Sequence, residues 1–205
     1  MKWSFIKISI IIFFVSIHIL AQSKAQVYWK SGNAKYNIAD YAGAILDYDK
    51  AIENNPKYYY AYMNRGLAKV ELKNFLAAIM DYDKAIEIDS IAVSTYTIRG
   101  IAKDSLLNYK GAIGDYNKAI TIKPNDAWSY YNRGNAKYKL ADYQGAIQDY
   151  NKAIDFVPKY MQAYYSRGLA KQKHNDMEGA CLDWRKASQF GDSTASALVK
   201  KNCGR

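Results

Sequence analysis

Between Ala127 and Tyr160 the apolar positions follow a helical period twice over. Tyr130, Gly134, Ala136 and Leu140 mark one face of a first helix. Ala141-Asp142 interrupts the pattern, and Ala146, Tyr150, Ala153 and Ile154 then recur at three- and four-residue spacing along a second helix. Asp142 stands where an N-cap is needed, because its carboxylate can accept a backbone N–H that the first turn leaves without a partner. Pro158 ends the second helix. The spacing predicts a helix-turn-helix hairpin in which Gly134 faces the small Ala146, so that the two backbones approach closely.

The same pattern returns every 34 residues. Ser31-Gly32-Asn33-Ala34-Lys35 recurs as Arg65-Gly66-Leu67-Ala68-Lys69, Arg99-Gly100-Ile101-Ala102-Lys103, Arg133-Gly134-Asn135-Ala136-Lys137 and Arg167-Gly168-Leu169-Ala170-Lys171. A second block, beginning at Gly43, recurs from Ala77, Gly111, Gly145 and Gly179. A strict period of this length predicts a solenoid, in which each hairpin buries its apolar face only against its neighbours. The predicted class is therefore an all-α solenoid of five units within residues 26–194, at about 25–58, 59–92, 93–126, 127–160 and 161–194, with residues 195–205 as a capping helix. Such proteins work through a groove for a partner more often than through a catalytic cleft.

The order aromatic, Gly, Ala, then Asp-Tyr, Ala, Tyr, Ala and Pro resembles the tetratricopeptide repeat over residues 25–194. Ser90 and Asp192 depart from its closing proline, and Met177 from its usual aromatic. The resemblance implies a right-handed superhelix whose first helices line the concave side, five units giving an arc. It says almost nothing about the partner.

Composition changes the picture at the N-terminus. Lys2 and Lys7 precede the apolar run Ile8 to Leu20, which is followed by the small-residue stretch Ala21-Gln22-Ser23-Lys24-Ala25. A 13-residue run falls short of the roughly 20 residues a spanning helix needs. This order is that of a secretory signal peptide over residues 1–25. Cleavage after Ala25 fits, with Ser23 or Ala21 as other cleavage points and an uncleaved anchor as the alternative. The expected mature chain is exported to the periplasm or cell envelope and is not an integral membrane protein.

The whole chain has 29 basic and 19 acidic residues, a net charge of +10; residues 1–25 hold three lysines and no acid, so 26 against 19 leaves +7. Because the excess is mostly lysine at fixed places in each unit, it reads as solvated surface. The two cysteines, Cys181 and Cys203, fall on the last full repeat and in the segment after it. In an exported chain they are expected to form a disulfide that pins the terminal helix, two reduced thiols being the alternative.

Charges also recur. Asp47, Asp81, Asp115, Asp149 and Asp183 share one register, and Arg65, Arg99, Arg133 and Arg167 share another, with Ser31 in the first unit and Lys201 in the terminal helix. Pairing each aspartate with the next unit's cation predicts Asp47–Arg65, Asp81–Arg99, Asp115–Arg133, Asp149–Arg167 and Asp183–Lys201. Ser31 then carries no charge because nothing precedes it.

The resemblance places the partner side on first-helix residues that do not enter the core: Trp29, Asn33, Tyr36, Tyr60, Asn64, Trp128, Tyr131, Asn135, Tyr138 and Tyr165, with Met63, Thr97, Ile101 and Lys173 on the same face. Rings offer contact area at small entropic cost and asparagine amides can bind the backbone of an extended peptide. The carboxylate clamp of some family members is not supported. Asn33 and Asn64 fit its asparagine places, but Trp29, Ser94 and Ile98 occupy its cationic ones. The expected function is a non-enzymatic scaffold holding a peptide or protein segment, with glycan or cell-wall binding as the alternative. Outside the signal segment the one histidine is His174, and neither CxxC nor HExxH spacing occurs. No enzyme, cofactor or metal is expected, and nucleic-acid binding is disfavoured by the export signal and the alternation of lysine with acid.

Overall fold

The computed structural model describes residues 22–204, and these form helices only. They are α1 (22–37), α2 (Tyr41–Asn54), α3 (Tyr59–Glu71), α4 (Phe75–Ile88), α5 (Val93–Ser105), α6 (Tyr109–Ile122), α7 (Ala127–Lys139), α8 (Tyr143–Phe156), α9 (Met161–Lys173), α10 (Met177–Gln189) and α11 (Ser193–Asn202). The helices group into two compact units divided between Ser90 and Ile91. In the first, α3 packs on α2 and α4; in the second, each helix from α5 to α11 packs on the next. The apolar run assigned to a signal peptide lies outside the described residues, and 22–25 open α1. Among the described residues no helix is long and apolar enough to cross a membrane.

Each hairpin turns in the same way. Ala39, Lys73, Leu107, Ala141 and Asn175 take φ between 59° and 64°, the left-handed region. The next residue closes the first helix by donating its backbone N–H to the carbonyl five residues back, as Asp142 does to Lys137 at 3.0 Å. That same residue caps the second helix. Asp40, Asn74, Asn108, Asp142 and Asp176 each accept a hydrogen bond from the N–H three residues on. One residue thus ends one helix with its backbone N–H and starts the next with its side chain, which is why the turn needs so few residues.

The close approach of the two helices is made by an aromatic ring, not by Ala146. A Cβ on Gly134 would lie 2.7 Å from Cε1 of Tyr150, and one on Gly100 would lie 2.5 Å from the same atom of Tyr116. Tyr48, Tyr82, Tyr116 and Tyr150 are fully buried on their glycines, and Trp184 takes the place in the last hairpin. Ala146 instead shares a cluster with Ala170 of the next hairpin, so its smallness serves stacking.

The charge ladder runs within hairpins, which corrects the pairing expected between them. Nε and Nη2 of Arg65 donate to Asp81 at 3.0 and 2.6 Å, those of Arg99 to Asp115 at 3.0 and 2.5 Å, those of Arg133 to Asp149 at 2.9 and 2.6 Å and those of Arg167 to Asp183 at 2.8 and 2.6 Å. A lysine four residues after each arginine completes the site: Lys69, Lys103, Lys137 and Lys171 reach the same carboxylates at 2.7–2.9 Å. Asp47 takes Ser31 Oγ at 2.7 Å and Lys35 at 2.7 Å. Asp183 is therefore held by Arg167 and Lys171, while Lys201 is exposed on α11.

The physical reason is burial. These aspartates are only 3–5% exposed, and a desolvated carboxylate needs its donors on the helix that covers it. Links between repeats run through the arginine's remaining arm. Nη1 of Arg65 donates to Asp49 at 2.5 Å, that of Arg133 to Asn117 at 2.6 Å and that of Arg167 to Asn151 at 2.7 Å, each on the preceding second helix. Burial alone would raise the Asp47 carboxyl, but hydrogen bonds from Lys35 and Ser31 and the nearby lysine charges outweigh it and hold the group below its usual range. The resulting stabilisation is complete above the ordinary carboxyl range and lost as pH falls through the lowered value.

Cys181 on α10 and Cys203 after α11 are joined by a disulfide with Cα atoms 5.5 Å apart. Asp192 caps α11 through the N–H of Ala195 at 2.9 Å, and Arg185 donates to the Cys203 carbonyl at 3.2 Å. Leu198 and Val199 pack against the cluster around Trp184.

Gly134→Ala is expected to destabilise the chain by about 1–3 kcal/mol, because the new methyl must displace the Tyr150 ring; urea unfolding followed by circular dichroism measures it. Reduction of the disulfide is expected to cost up to about 3 kcal/mol of local stability. Hydrogen exchange would show that loss as faster exchange confined to α11 and the end of α10.

Candidate functional site

In the second unit α7 carries a stripe of rings and amides. At its start Trp128, 42% exposed, borders a depression with Val157 and Tyr160. One turn on, Tyr131 is half-buried, its ring centroid 5.1 Å from Tyr160 and 6.0 Å from Tyr150. Asn135 follows, its Oδ1 accepting the Tyr150 hydroxyl at 2.8 Å. Tyr138 then packs edge-on against Tyr143 at 5.4 Å. Asn135, Tyr138 and Tyr150, with Asp104 of α5, Lys139, and Ser166 and Leu169 of α9, line a cleft of about 270 Å³. Tyr165 on α9 belongs elsewhere, packed against the Trp184 cluster.

The first unit contains the same cleft three repeats earlier. Asn33, Tyr36, Asn37, Tyr48, Asn64 and Leu67 line it, and each stands 102 residues before Asn135, Tyr138, Lys139, Tyr150, Ser166 and Leu169. Asn33 Oδ1 accepts both the Tyr48 hydroxyl at 2.8 Å and Asn64 Nδ2 at 2.7 Å. Tyr36 donates to Glu71 at 3.3 Å and meets Tyr41 edge-on at 5.2 Å. Trp29 is turned into the hairpin, against Tyr58 and Tyr60 at 6.0 and 5.9 Å, and its Nε1 is buried without a hydrogen-bond partner. Tyr60 is 56% exposed.

Of the residues expected on the partner side, the structure brings Asn33, Tyr36 and Asn64 into one cleft and Asn135 and Tyr138 into its counterpart. Tyr60 and Trp128 are open to solvent, whereas Trp29, Tyr131 and Tyr165 are partly core. Thr97 is fully buried and shares a hydrogen bond with Ser129 at 2.8 Å, so it is not a surface residue. The second-helix tyrosines, Tyr48 and Tyr150, form the cleft floors and were missed because their register reads as core. Asp104 was missed too. It occupies the register of Tyr36, Val70, Tyr138 and Gln172, and a repeat-by-repeat alignment marks it as the acid among them.

Asparagine at the register of Asn33 and Asn135 satisfies the two floor hydroxyls, Tyr48 and Tyr150. Leu67 stands at that register in the second repeat, and there the buried Tyr82 hydroxyl has no hydrogen-bond partner. Burial pushes the Tyr48 hydroxyl up to about 12, and the neighbouring Tyr36 and Asp47 add to this against a hydrogen bond with Asn64. Tyr160 is likewise raised to about 12 by burial and by Tyr131 and Asp126. Tyr150 is raised further, again chiefly by desolvation. Among the described residues no three His, Cys, Asp or Glu side chains gather as a metal site.

Stacked helix hairpins with polar clefts on their first helices define a helical-repeat protein of the α-solenoid class. A TPR repeat model matches residues 108–141 and 134–175, and a tetratricopeptide repeat model matches residues 30–90. The chain belongs to the tetratricopeptide repeat family, and neither matched model is of a catalytic family. Among solved structures, a crystal structure of MamA is 25% identical, covers 84% of this chain and 94% of that one, and superposes with a TM-score of 0.75. YrrB is 20% identical with a TM-score of 0.71 over 85% of this chain and 90% of its own. Pseudomonas aeruginosa pilF is 17% identical with a TM-score of 0.76 over 87% of this chain and 81% of its own. No curated protein matches the chain.

The raised tyrosines have a pH consequence. Because their folded pKa lies above the ordinary value of about 10, burial stabilises the chain fully below pH ~10 and is lost as pH rises through ~12. An alkaline titration is expected to show one cooperative rise in tyrosinate absorbance coincident with loss of helicity, after the gradual ionisation of exposed rings such as Tyr60. Gradual ionisation of every tyrosine with helicity intact would contradict this.

Proposed function

We infer that this chain is a non-enzymatic interaction scaffold of the cell envelope that holds an extended peptide segment along its first helices. The observation that carries the reading is the recurrence of one Tyr-Asn cleft in both units, beside the exposed rings of Tyr60 and Trp128. A peptide backbone offers alternating donors and acceptors at the scale of these amides and hydroxyls, and its side chains can lie on the rings. The family assignment supports this, as does the likeness to YrrB, described as a TPR protein with an unusual peptide-binding site. Export rests on the charge, apolar run and small-residue order of residues 1–25, and the exported chain is expected to begin at Gln26 when its N-terminus is sequenced.

Trp128 is the residue to change, because it is 42% exposed, whereas Tyr131 is half-buried and packs against the core around Ala153, Ile154 and Ala163. Residues 26–205 used to capture partners from cell-envelope extract are expected to retain a protein. Trp128→Ala, with helicity unchanged, should weaken that retention about tenfold or more. Retention of purified glycan in place of protein would support the glycan reading instead.

A further inference from the structure

The two equivalent clefts share tyrosine, asparagine and leucine but differ where Asn37 and Asn64 are replaced by Lys139 and Ser166, and they differ in charge. The cleft in the second unit has a carboxylate in its wall, Asp104, and its counterpart has none among its lining residues. Asp104 Oδ1 is shielded from solvent and has no hydrogen-bond partner. Burial raises its carboxyl above the usual range, and Lys139 on the exposed rim draws it down without forming a salt bridge. The ladder aspartates nearby are treated quite differently: Asp115 and Asp149 each bind an arginine and a lysine. Lys103 of α5 and Lys137 of α7 are committed to those pairs.

A shielded carboxylate oxygen without a donor is costly, and a donor arriving with a ligand removes that cost. The surroundings select the donor. Asn135 Oδ1 already accepts from Tyr150, whereas Asp104 Oδ1 has no donor at all and belongs to a carboxylate, so it is the stronger acceptor for a cationic donor. The Tyr138 ring lies on the same cleft, where it can carry an aliphatic stem and face a cation. Lys139 presents its charge to water at the rim, where screening weakens its repulsion of an incoming cation relative to the attraction inside.

We propose that the cleft between α5, α7 and α9 is a specificity pocket for a lysine or arginine side chain of the bound peptide, with Asp104 as its acceptor. The assignment rests on the peptide-binding reading above and deepens it.

The test uses residues 26–205 and pools of short random peptides fixed at one central position as lysine, arginine, norleucine or glutamate. The lysine and arginine pools are expected to bind about tenfold tighter than the norleucine pool. In Asp104→Asn this preference should fall to parity while affinity for the norleucine pool is unchanged. Asp104→Ser replaces that variant if its helicity is lost. Lys139→Met should strengthen binding of the lysine pool. Equal binding of all pools by the unaltered chain, or a preference that survives loss of the carboxylate, overturns the pocket and leaves the peptide-binding reading standing. Absence of binding by every pool overturns both.

Discussion

The ring of a second-helix tyrosine lying on a first-helix glycine sets the spacing of each hairpin, and the other features follow from that contact. With no Cβ at Gly134, the Tyr150 ring fits between two backbones that a methyl group would force apart. The tyrosine's neighbour, Asp149, is then carried under Arg133 and Lys137, and its hydroxyl is carried to Asn135. Packing, ion pairing and the floor of the cleft are thus three outcomes of one steric fit. In the last hairpin Trp184 fills the same space over Gly168, and its larger ring comes with an indole nitrogen left without a partner.

The buried carboxylates show how charge is used here. Each aspartate beneath an arginine receives two guanidinium hydrogen bonds and a lysine, enough to compensate desolvation that a single partner would leave unbalanced. Arg65, Arg133 and Arg167 also lie over the ring of a tyrosine three residues earlier, with 5.2–5.4 Å from guanidinium carbon to ring centroid. Their third nitrogen extends to the preceding hairpin. A planar guanidinium spreads five donors over three nitrogens and can face both hairpins at once, whereas a lysine gathers its donors on a single nitrogen. In the first hairpin Ser31 stands in the arginine's place, and its hydroxyl and Lys35 supply the donors to Asp47.

The candidate sites use the same scaffold at positions where the repeat is allowed to vary. Asparagine at one register gives a tyrosine hydroxyl its acceptor and opens a polar cleft; leucine or isoleucine at that register makes an apolar wall. Asp104 introduces charge where other repeats hold tyrosine, valine or glutamine, and nothing in the hairpin answers it. The invariant positions therefore build the stack, and the variable ones give each cleft its chemistry.

The period, the hairpins, the caps and the all-helical class were legible in the sequence, because they rest on local spacing: helical periodicity, an aspartate or asparagine able to cap, and a repeat that imposes the same geometry each time. The lysine that completes each ion site was in view as well, in the last place of every Gly-x-Ala-Lys block, though its role was not. Which hairpin an arginine serves is a different kind of fact. Asp47 precedes Arg65 by 18 residues and Asp81 follows it by 16, and only the seating of the tyrosine ring decides between distances so alike. The same holds for the clefts. Tyr150 reads as core from its register, and Trp29 reads as surface, yet the fold puts the hydroxyl of one into a cleft and turns the indole of the other inward. Local sequence determined what each segment becomes; tertiary packing decided which polar groups meet, because burial of a charge or hydroxyl depends on every helix that covers it.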